Sequence, residues 1–144
     1  MRLSNARYKH TAIKKMFRRV SAGEIVVTDR YPQMEFEGIY DGLTITDFPD
    51  GFLAGFNRKL AAKEKRLYTE MCRFHPDVVV KLLIPLEVSC RRKPCTGKEY
   101  EIVRRKVEIT DVLHYQGSRE LTVDSSGDLD ETKREIVSLL WRYI

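Results

Sequence analysis

The sequence lacks any long run of apolar residues. None of its 144 residues belongs to a stretch approaching 18 consecutive apolar side chains, so no membrane-spanning helix is predicted. The N-terminal segment MRLSNARYKH is basic, but no apolar stretch follows it, and it therefore does not predict a secretory signal. From these two absences we expect neither a membrane-spanning protein nor a secreted one.

Cysteine and histidine are also scarce and show no regular spacing. The odd number of cysteines does not suit a disulfide scaffold, and free thiols in a reducing cytoplasm explain them best: Cys72, Cys90 and Cys95. The three histidines have no ligand spacing relative to these cysteines: His10, His75 and His114. The sequence therefore predicts a cytoplasmic protein without a structural metal site.

The charge balance has a moderate positive excess. The net charge is +5 with 33% charged and 42% hydrophobic residues, which is typical of a globular protein with a charged surface. Basic residues cluster at 14–19, 91–93 and 104–106. A positive excess attracts phosphate, whether in a nucleotide, a nucleic acid or a membrane. The length predicts a single domain over residues 1–144.

Helical and strand-like patterns alternate along the chain. Apolar residues at three- and four-residue steps predict helices over 5–20, 52–74, 87–92 and 99–114, and from Asp128 to the C-terminus. Short apolar runs predict three strands, at 24–29, 78–84 and 120–124. The segment 31–51, with three glycines and two prolines, predicts a long loop. This order predicts an α/β domain: a three-layer fold with a parallel sheet flanked by helices.

Charged residues follow the end of each predicted strand. Asp29 and Arg30 follow the first, a basic region over 87–105 follows the second, and the loop 124–127 follows the third. Ligands bind at the carboxyl edge of open α/β sheets, and arginine forks suit phosphate oxygens. An alternative remains for each feature. Asp29 and Arg30 could be an ion pair that ends a strand, and the basic clusters could be solvated surfaces.

Three segments together resemble the thymidylate kinase-like branch of the P-loop nucleotide kinases. They are GEIVVTDRYPQ, HPDVVVKLLIPLEVSCRRKP and LTVDSSGDLDETKREIVSLLWRYI, and the resemblance covers most of 11–144. Its most specific parts are Asp29–Arg30–Tyr31–Pro32 and the Pro76–Asp77 pair that introduces the second strand. The resemblance implies a kinase that transfers a phosphoryl group from ATP, with Mg²⁺, to a nucleotide acceptor.

The resemblance also implies roles for individual residues. Asp29 would lie near the transferred phosphoryl group and contact Mg²⁺ through a bound water, and Arg30 would bind phosphate or sugar oxygens of the acceptor. The lid and the loop beside the adenine would supply the ATP-binding residues: Arg91, Arg92, Arg104, Arg105, Asp124 and Ser125.

One part of the family pattern is missing. The sequence contains no G-x-x-x-x-G-K-[ST] phosphate loop, and Gly97–Lys98 is followed by Glu99. A strand–loop–helix–strand unit of roughly 50 residues is absent, judged from the size of one βαβ unit. In the family, the missing first strand lies between the strands that correspond to 24–29 and 78–84. We therefore expect the sheet to be completed by a second chain or copy, or by a segment encoded upstream of Met1.

Three functions remain open at this stage. The chain could be part of a nucleotide kinase, which would be inactive and bind ATP weakly or not at all until it is completed. It could instead be a non-catalytic relative that serves as a binding or subunit-interaction module. Nucleic-acid binding is the least supported, because 21 acidic residues balance the basic clusters and no recognition motif accompanies them.

Overall fold

A computed structural model describes residues 2–45 and 54–143. The chain divides into two compact units, one ending at Phe74 and one beginning at His75. No helix in the described ranges is long and apolar enough to cross a membrane. The helices and strands, in chain order, are α1 (Arg2–Ser21), α2 (Ala54–Met71), β1 (Val78–Leu83), α3 (Leu86–Arg92), α4 (Lys98–Val112), β2 (Arg119–Asp124) and α5 (Leu129–Leu140).

The first unit is built on the packing of α1 against α2. On α1, Ala6 and Ile13 are buried, and their spacing of seven residues places them on one face of the helix. On α2, Tyr68 and Met71 are almost completely buried one turn apart. The predicted helices are therefore confirmed, and their apolar stripes form the core of this unit.

The predicted strand at 24–29 does not form. These residues have no regular secondary structure, and the side chains of Ile25 and Val27 are 63% and 85% exposed. A strand needs a neighbour whose backbone groups complete its hydrogen bonds. The described part of the first unit contains no other strand. The prediction of a three-stranded sheet was therefore wrong at this position, because the apolar run has no partner there.

The second unit contains a parallel two-stranded sheet. The strands β1 and β2 pair in register from Val78↔Arg119 to Leu83↔Asp124. Helix α4 packs against β1, α5 packs against β2, and α3 packs against α4. The α/β class and the parallel pairing of these two strands are confirmed. Within residues 2–45 and 54–143, the second edge of β1 pairs with no strand.

The start of α5 follows its sequence signal closely. The carboxylate of Asp128 accepts hydrogen bonds from the backbone N–H groups of Asp130 and Glu131, at 2.9 and 3.2 Å. These bonds satisfy two of the donors that a helix N-terminus leaves free. The predicted helix start at Asp128 is confirmed.

The predicted loop after residue 30 is held together by one buried side chain. The carboxamide nitrogen of Gln33 donates to the carbonyl oxygens of Phe36 and Ile39, both at 2.6 Å. Its oxygen accepts from the backbone N–H groups of Glu35 and Phe36, both at 2.7 Å. Gln33 is only 4% exposed and uses all of its bonding groups. Residues 34–45 are thus ordered around an internal polar side chain, while 46–51 fall outside the described residues.

A second buried side chain connects this loop to α2. Glu64 is 1% exposed. One of its carboxylate oxygens accepts from the backbone N–H groups of Thr44 and Ile45, at 3.1 and 2.8 Å, and the other accepts from the Thr44 hydroxyl at 2.6 Å. A buried carboxylate is tolerated only when such donors replace water. The hydroxyl of Tyr68 adds a bond to the carbonyl oxygen of Gly42, at 3.1 Å.

Gly42 is required by this arrangement, and we expect Gly42→Ala to destabilise the first unit. A Cβ atom there would lie 2.0 Å from the carbonyl oxygen of Phe36 and 2.6 Å from the Gln33 nitrogen. Overpacking of this kind costs about 1–3 kcal/mol of unfolding free energy, measurable by urea denaturation. Gly55→Ala is the matched control, because a Cβ on that helical glycine meets open space. Equal losses for the two variants would contradict the role given to Gly42.

Candidate functional site

Asp29 and Arg30 lie on the surface of the first unit. Their side chains are 93% and 56% exposed, and the closest approach of the pair, Arg30 Nε to Asp29 Oδ2, is 3.8 Å. The hydroxyl of Thr28 donates a hydrogen bond to the carbonyl oxygen of Arg30. An exposed ion pair at this distance contributes little to stability. Both side chains are therefore accessible to a ligand.

The three residues that follow anchor this dipeptide. Tyr31, Pro32 and Gln33 are buried. The Tyr31 hydroxyl donates to the carbonyl oxygen of Phe74 at 2.7 Å, and burial, followed by the nearby Cys72, raises the pKa of Tyr31 well above its usual range. The Cys72 thiol lies 3.7 Å from the carbonyl oxygen of Pro32. A buried anchor beside two exposed charges fixes the backbone from which those charges project.

In the second unit, the end of β2 is connected to the end of β1. The backbone N–H and the hydroxyl of Ser125 both donate to the carbonyl oxygen of Leu83, at 2.8 and 3.0 Å. The carboxylate of Asp124 accepts from the backbone N–H of Ser126 at 2.8 Å, and hydrogen bonding from Ser126 lowers the pKa of Asp124. The 124–127 loop is thus fixed at the carboxyl edge of the sheet.

Arg92 lies at the same edge. Its Nη2 donates to the carbonyl oxygens of Ser126 and Gly127, at 3.1 and 2.6 Å. Helix α3 begins three residues after β1 ends, which brings its last turn, with Arg91 and Arg92, towards the 124–127 loop. Arginines in the last turn also interact favourably with the helix dipole. The structure therefore brings Arg92 together with the loop that contains Ser125.

The arginines of α4 have a different environment. Arg104 bonds along its own helix, with Nη2 2.8 Å from Glu101 and Nη1 3.0 Å from Glu108. The hydrogen bond to Glu101 raises the pKa of Arg104. Arg105 is exposed. The contacts of Arg104 are those of a solvated helix surface, so its part in a lid stays a prediction.

The sequence reasoning missed a buried ion pair in the second unit. Lys81 on β1 is 7% exposed, and its Nζ lies 2.9 Å from Glu120 Oε2 and 3.3 Å from the carbonyl oxygen of Asp111. Glu120 also accepts from the backbone N–H of Tyr115 at 2.6 Å, and its Oε2 lies 2.8 Å from His114 Nδ1. The one lysine in the apolar run VVVKLL was the sequence signal for this pair.

These bonds strongly perturb the Glu120 carboxyl group. Partial burial alone would raise its pKa. The hydrogen bonds from Lys81, the Tyr115 N–H and His114, together with the Lys81 charge, outweigh that effect and lower the pKa of Glu120 to about 2. The carboxylate is therefore ionised throughout the neutral range and acts as a structural partner.

The side chains of the described residues bear on whether a metal ion could bind. In the described ranges, no group of three or more histidine, cysteine, aspartate or glutamate side chains could hold a metal ion. Mg²⁺ keeps several of its waters and often needs only one or two protein carboxylates besides phosphate oxygens. The single exposed carboxylate of Asp29 fits a contact through water.

Comparison with known proteins gives distant, partial relatives. No protein-family profile matches the chain, and no solved structure matches it. The Escherichia coli K12 protein named uncharacterized ATP-binding protein YghR is 32% identical over 121 residues, which cover 83% of this chain and 46% of YghR. The protein of the same strain named uncharacterized ATP-binding protein YghS is 29% identical over 119 residues, 82% of this chain and 48% of YghS. The chain spans about half the length of these curated relatives.

Proposed function

We propose that residues 1–144 form part of a cytoplasmic nucleotide kinase of the thymidylate kinase-like type. The observation that carries the proposal is the segment Asp29–Gln33, in which two exposed charges project from a buried anchor. The names of the two Escherichia coli relatives support ATP as the nucleotide. The proposed reaction is transfer of a phosphoryl group from ATP to a nucleotide acceptor.

Asp29 and Arg30 have separate roles in this proposal. The guanidinium of Arg30 binds phosphate or sugar oxygens of the acceptor as a bidentate donor. The carboxylate of Asp29 would hold Mg²⁺ through a bound water, and the ion, bound with ATP, would neutralise phosphate charge. Catalysis of phosphoryl transfer consists mainly of positioning and electrostatic stabilisation. Two exposed side chains on an anchored backbone suit that demand.

The ATP-binding residues are proposed at the carboxyl edge of the sheet in the second unit. Arg91 and Arg92 lie at the end of α3, and Arg92 already bonds two neutral carbonyl groups of the 124–127 loop. A phosphate oxygen is a stronger acceptor for a guanidinium than a carbonyl oxygen. Asp124 and Ser125 lie on that fixed loop, which is proposed to lie beside the adenine. Arg105 is accessible on α4.

Arg104 is the weakest member of the proposed ATP site. Its guanidinium would have to release Glu101 and Glu108 before it could bind phosphate. Exposed pairs within a helix contribute only a few tenths of a kcal/mol, so the release costs little. Arg104 therefore stays in the proposal as a residue that changes partner on nucleotide binding.

The phosphate-binding loop must come from outside residues 1–144. We propose that a strand followed by a G-x-x-x-x-G-K-[ST] loop pairs with the free edge of β1. The apolar run of β1, in which Leu82 is 45% exposed, suits a strand that is covered more fully in the complete sheet. A second chain, a second copy or an upstream segment could provide this strand and its loop.

A non-catalytic binding module is the alternative that the missing loop favours. To separate the two, we would express the completed protein, defined as residues 1–144 with the segment that carries the phosphate loop, from genomic DNA that includes the region upstream of Met1. The kinase proposal predicts ADP formation with Mg-ATP that depends on a nucleoside monophosphate, thymidylate being the first to test. Nucleotide binding without turnover for any monophosphate would support the binding module.

A further inference from the structure

Two of the three cysteines lie next to each other in the second unit. Cys90 is in the last turn of α3, and Cys95 is in the connection to α4. Their Sγ atoms are 3.1 Å apart. Both residues are partly exposed, so solutes can reach them. Cys72 lies in the first unit, with the carbonyl oxygen of Pro32 near its Sγ.

The backbone around the pair allows the two sulfur atoms to move slightly closer together. A disulfide bond is about 2.05 Å long, so the sulfurs must move about 1 Å closer together. The connection between them is four residues long and is followed by Gly97, with φ of 55° and open space around its Cα. Glycine adopts this conformation without strain, so the segment can adjust without disturbing α4.

The two thiols interact directly with each other. The hydrogen bond to Cys95 raises the pKa of Cys90, and partial burial and the negative charges of Cys95 and Glu87 add to the effect. The two sulfurs are therefore in direct contact, and either thiol could be the donor of their hydrogen bond. A thiolate is the attacking species in disulfide exchange.

We propose that Cys90 and Cys95 are a redox modification site that closes reversibly as an intramolecular disulfide. The oxidant is a low-molecular-weight disulfide such as oxidised glutathione. The thiolate of one cysteine attacks one glutathione sulfur, which forms a mixed disulfide and releases one reduced glutathione. The other thiol then gives its proton to solvent, attacks the protein sulfur of the mixed disulfide and releases the second glutathione. Two protein thiols become one disulfide, and one glutathione disulfide becomes two thiols.

The consequence for nucleotide binding rests on the proposed function. The disulfide would close a ring over residues 90–95, which includes Arg91 and Arg92. The ring would fix the start of the segment that the resemblance implies to be a lid over ATP. The arginines could then no longer adjust to the phosphates, and loss of one charge-assisted contact corresponds to roughly a tenfold weaker affinity for ATP. Oxidation of the pair is therefore expected to lower nucleotide affinity.

The disulfide itself can be tested on residues 1–144 without any nucleotide. The chain is equilibrated in buffers with stepped ratios of oxidised to reduced glutathione, alkylated, digested with trypsin and analysed by mass spectrometry. Trypsin cleaves after Arg91 and Arg92, so a disulfide joins two otherwise separate peptides. We expect this linked pair to form in oxidising buffer and to disappear in reducing buffer, while Cys72 stays outside it.

Three variants control the experiment. Cys90→Ser and Cys95→Ser are expected to stop at a mixed glutathione disulfide on the remaining cysteine, and Cys72→Ser should behave as the unmodified chain does. Two outcomes would overturn the proposal. Either Cys90 and Cys95 would each carry a separate glutathione adduct, or neither of these two thiols would react faster than Cys72. ATP affinity of the completed protein is then compared in both redox states. A disulfide without any ATP binding would count against the proposed function and leave the modification site supported.

Discussion

Replacing Glu120 by glutamine is expected to lower the unfolding free energy of the second unit by roughly 3–5 kcal/mol. The change removes the charge that balances Lys81, which is 7% exposed in the middle of β1. A buried ammonium group without a counter-charge is one of the most destabilising features that a single substitution can create. Such a loss is a large share of the stability of a small unit.

Hydrogen exchange measured by mass spectrometry would locate this loss. We expect faster exchange in β1 and β2 of the Glu120→Gln variant and unchanged exchange in α1. Lys81→Met in the same chain should restore much of the protection, because it removes the unpaired charge. Glu101→Gln, which breaks an exposed contact with Arg104, is the matched control and should have almost no effect. Unchanged exchange in Glu120→Gln would show that the ion pair is not structural.

Acid should have the same effect as the Glu120 substitution. The pKa of Glu120 is lowered to about 2, from an ordinary value of 4.5. A lowered folded-state pKa contributes stability that is complete above the ordinary value and is lost as the pH falls towards the folded value. The difference in stability between the original chain and Glu120→Gln should therefore be constant at neutral pH and shrink between about pH 4.5 and 2. A constant difference across that window would contradict the assigned pKa.

Arg30→Lys in the completed protein is expected to lower kcat/KM roughly tenfold to a hundredfold. Lysine keeps the positive charge but loses the planar fork, so bidentate recognition of the acceptor fails. Hydrogen bonds to charged groups are worth about 1.5–3 kcal/mol, which gives this range. The melting temperature should barely change, since Arg30 is 56% exposed and lies 3.8 Å from its only ion-pair partner found among the described residues.

The same substitution at Arg66 provides the control for this experiment. Arg66 lies on α2, is 84% exposed and pairs with Glu70 one turn along the helix. Arg66→Lys should leave both the kinetics and the melting temperature unchanged. The alternative, in which Arg30 and Asp29 form only a structural ion pair, makes the opposite forecast for Arg30→Lys, namely normal kinetics with a lower melting temperature. That combination would show that the Asp29–Arg30 pair is structural.

Local sequence patterns predicted the elements whose partners are near in the chain or whose apolar face is long. Three features are visible in the sequence and confirmed in the structure: the apolar stripe of α1, the apolar run of β1 and the Asp128 cap of α5. The run at 24–28 has the same composition as a buried strand, but composition does not supply a neighbouring strand. The error there arises because strand formation depends on pairing partners that are distant in the chain.

The buried polar contacts of both units were less accessible to sequence reasoning. Gln33 and Glu64 look like ordinary surface residues in the sequence, yet each is buried and organises several backbone groups. Lys81 and Glu120 are 39 positions apart and meet only through the parallel register of β1 and β2. The pair Asp29–Arg30 was singled out because a strand was predicted to end there. No strand forms at that position, and the role of the pair stays a prediction.

Calorimetric titration with Mg-ATP tests most directly whether this chain depends on an external phosphate-binding loop. Residues 1–144 alone are titrated beside the completed protein under the same conditions. We predict weak or no binding by the chain alone, and clear binding once the strand and its G-x-x-x-x-G-K-[ST] loop are present, because backbone N–H groups of that loop hold the phosphates. Sub-micromolar binding of ATP by residues 1–144 alone would contradict this dependence and place the phosphate site within the chain.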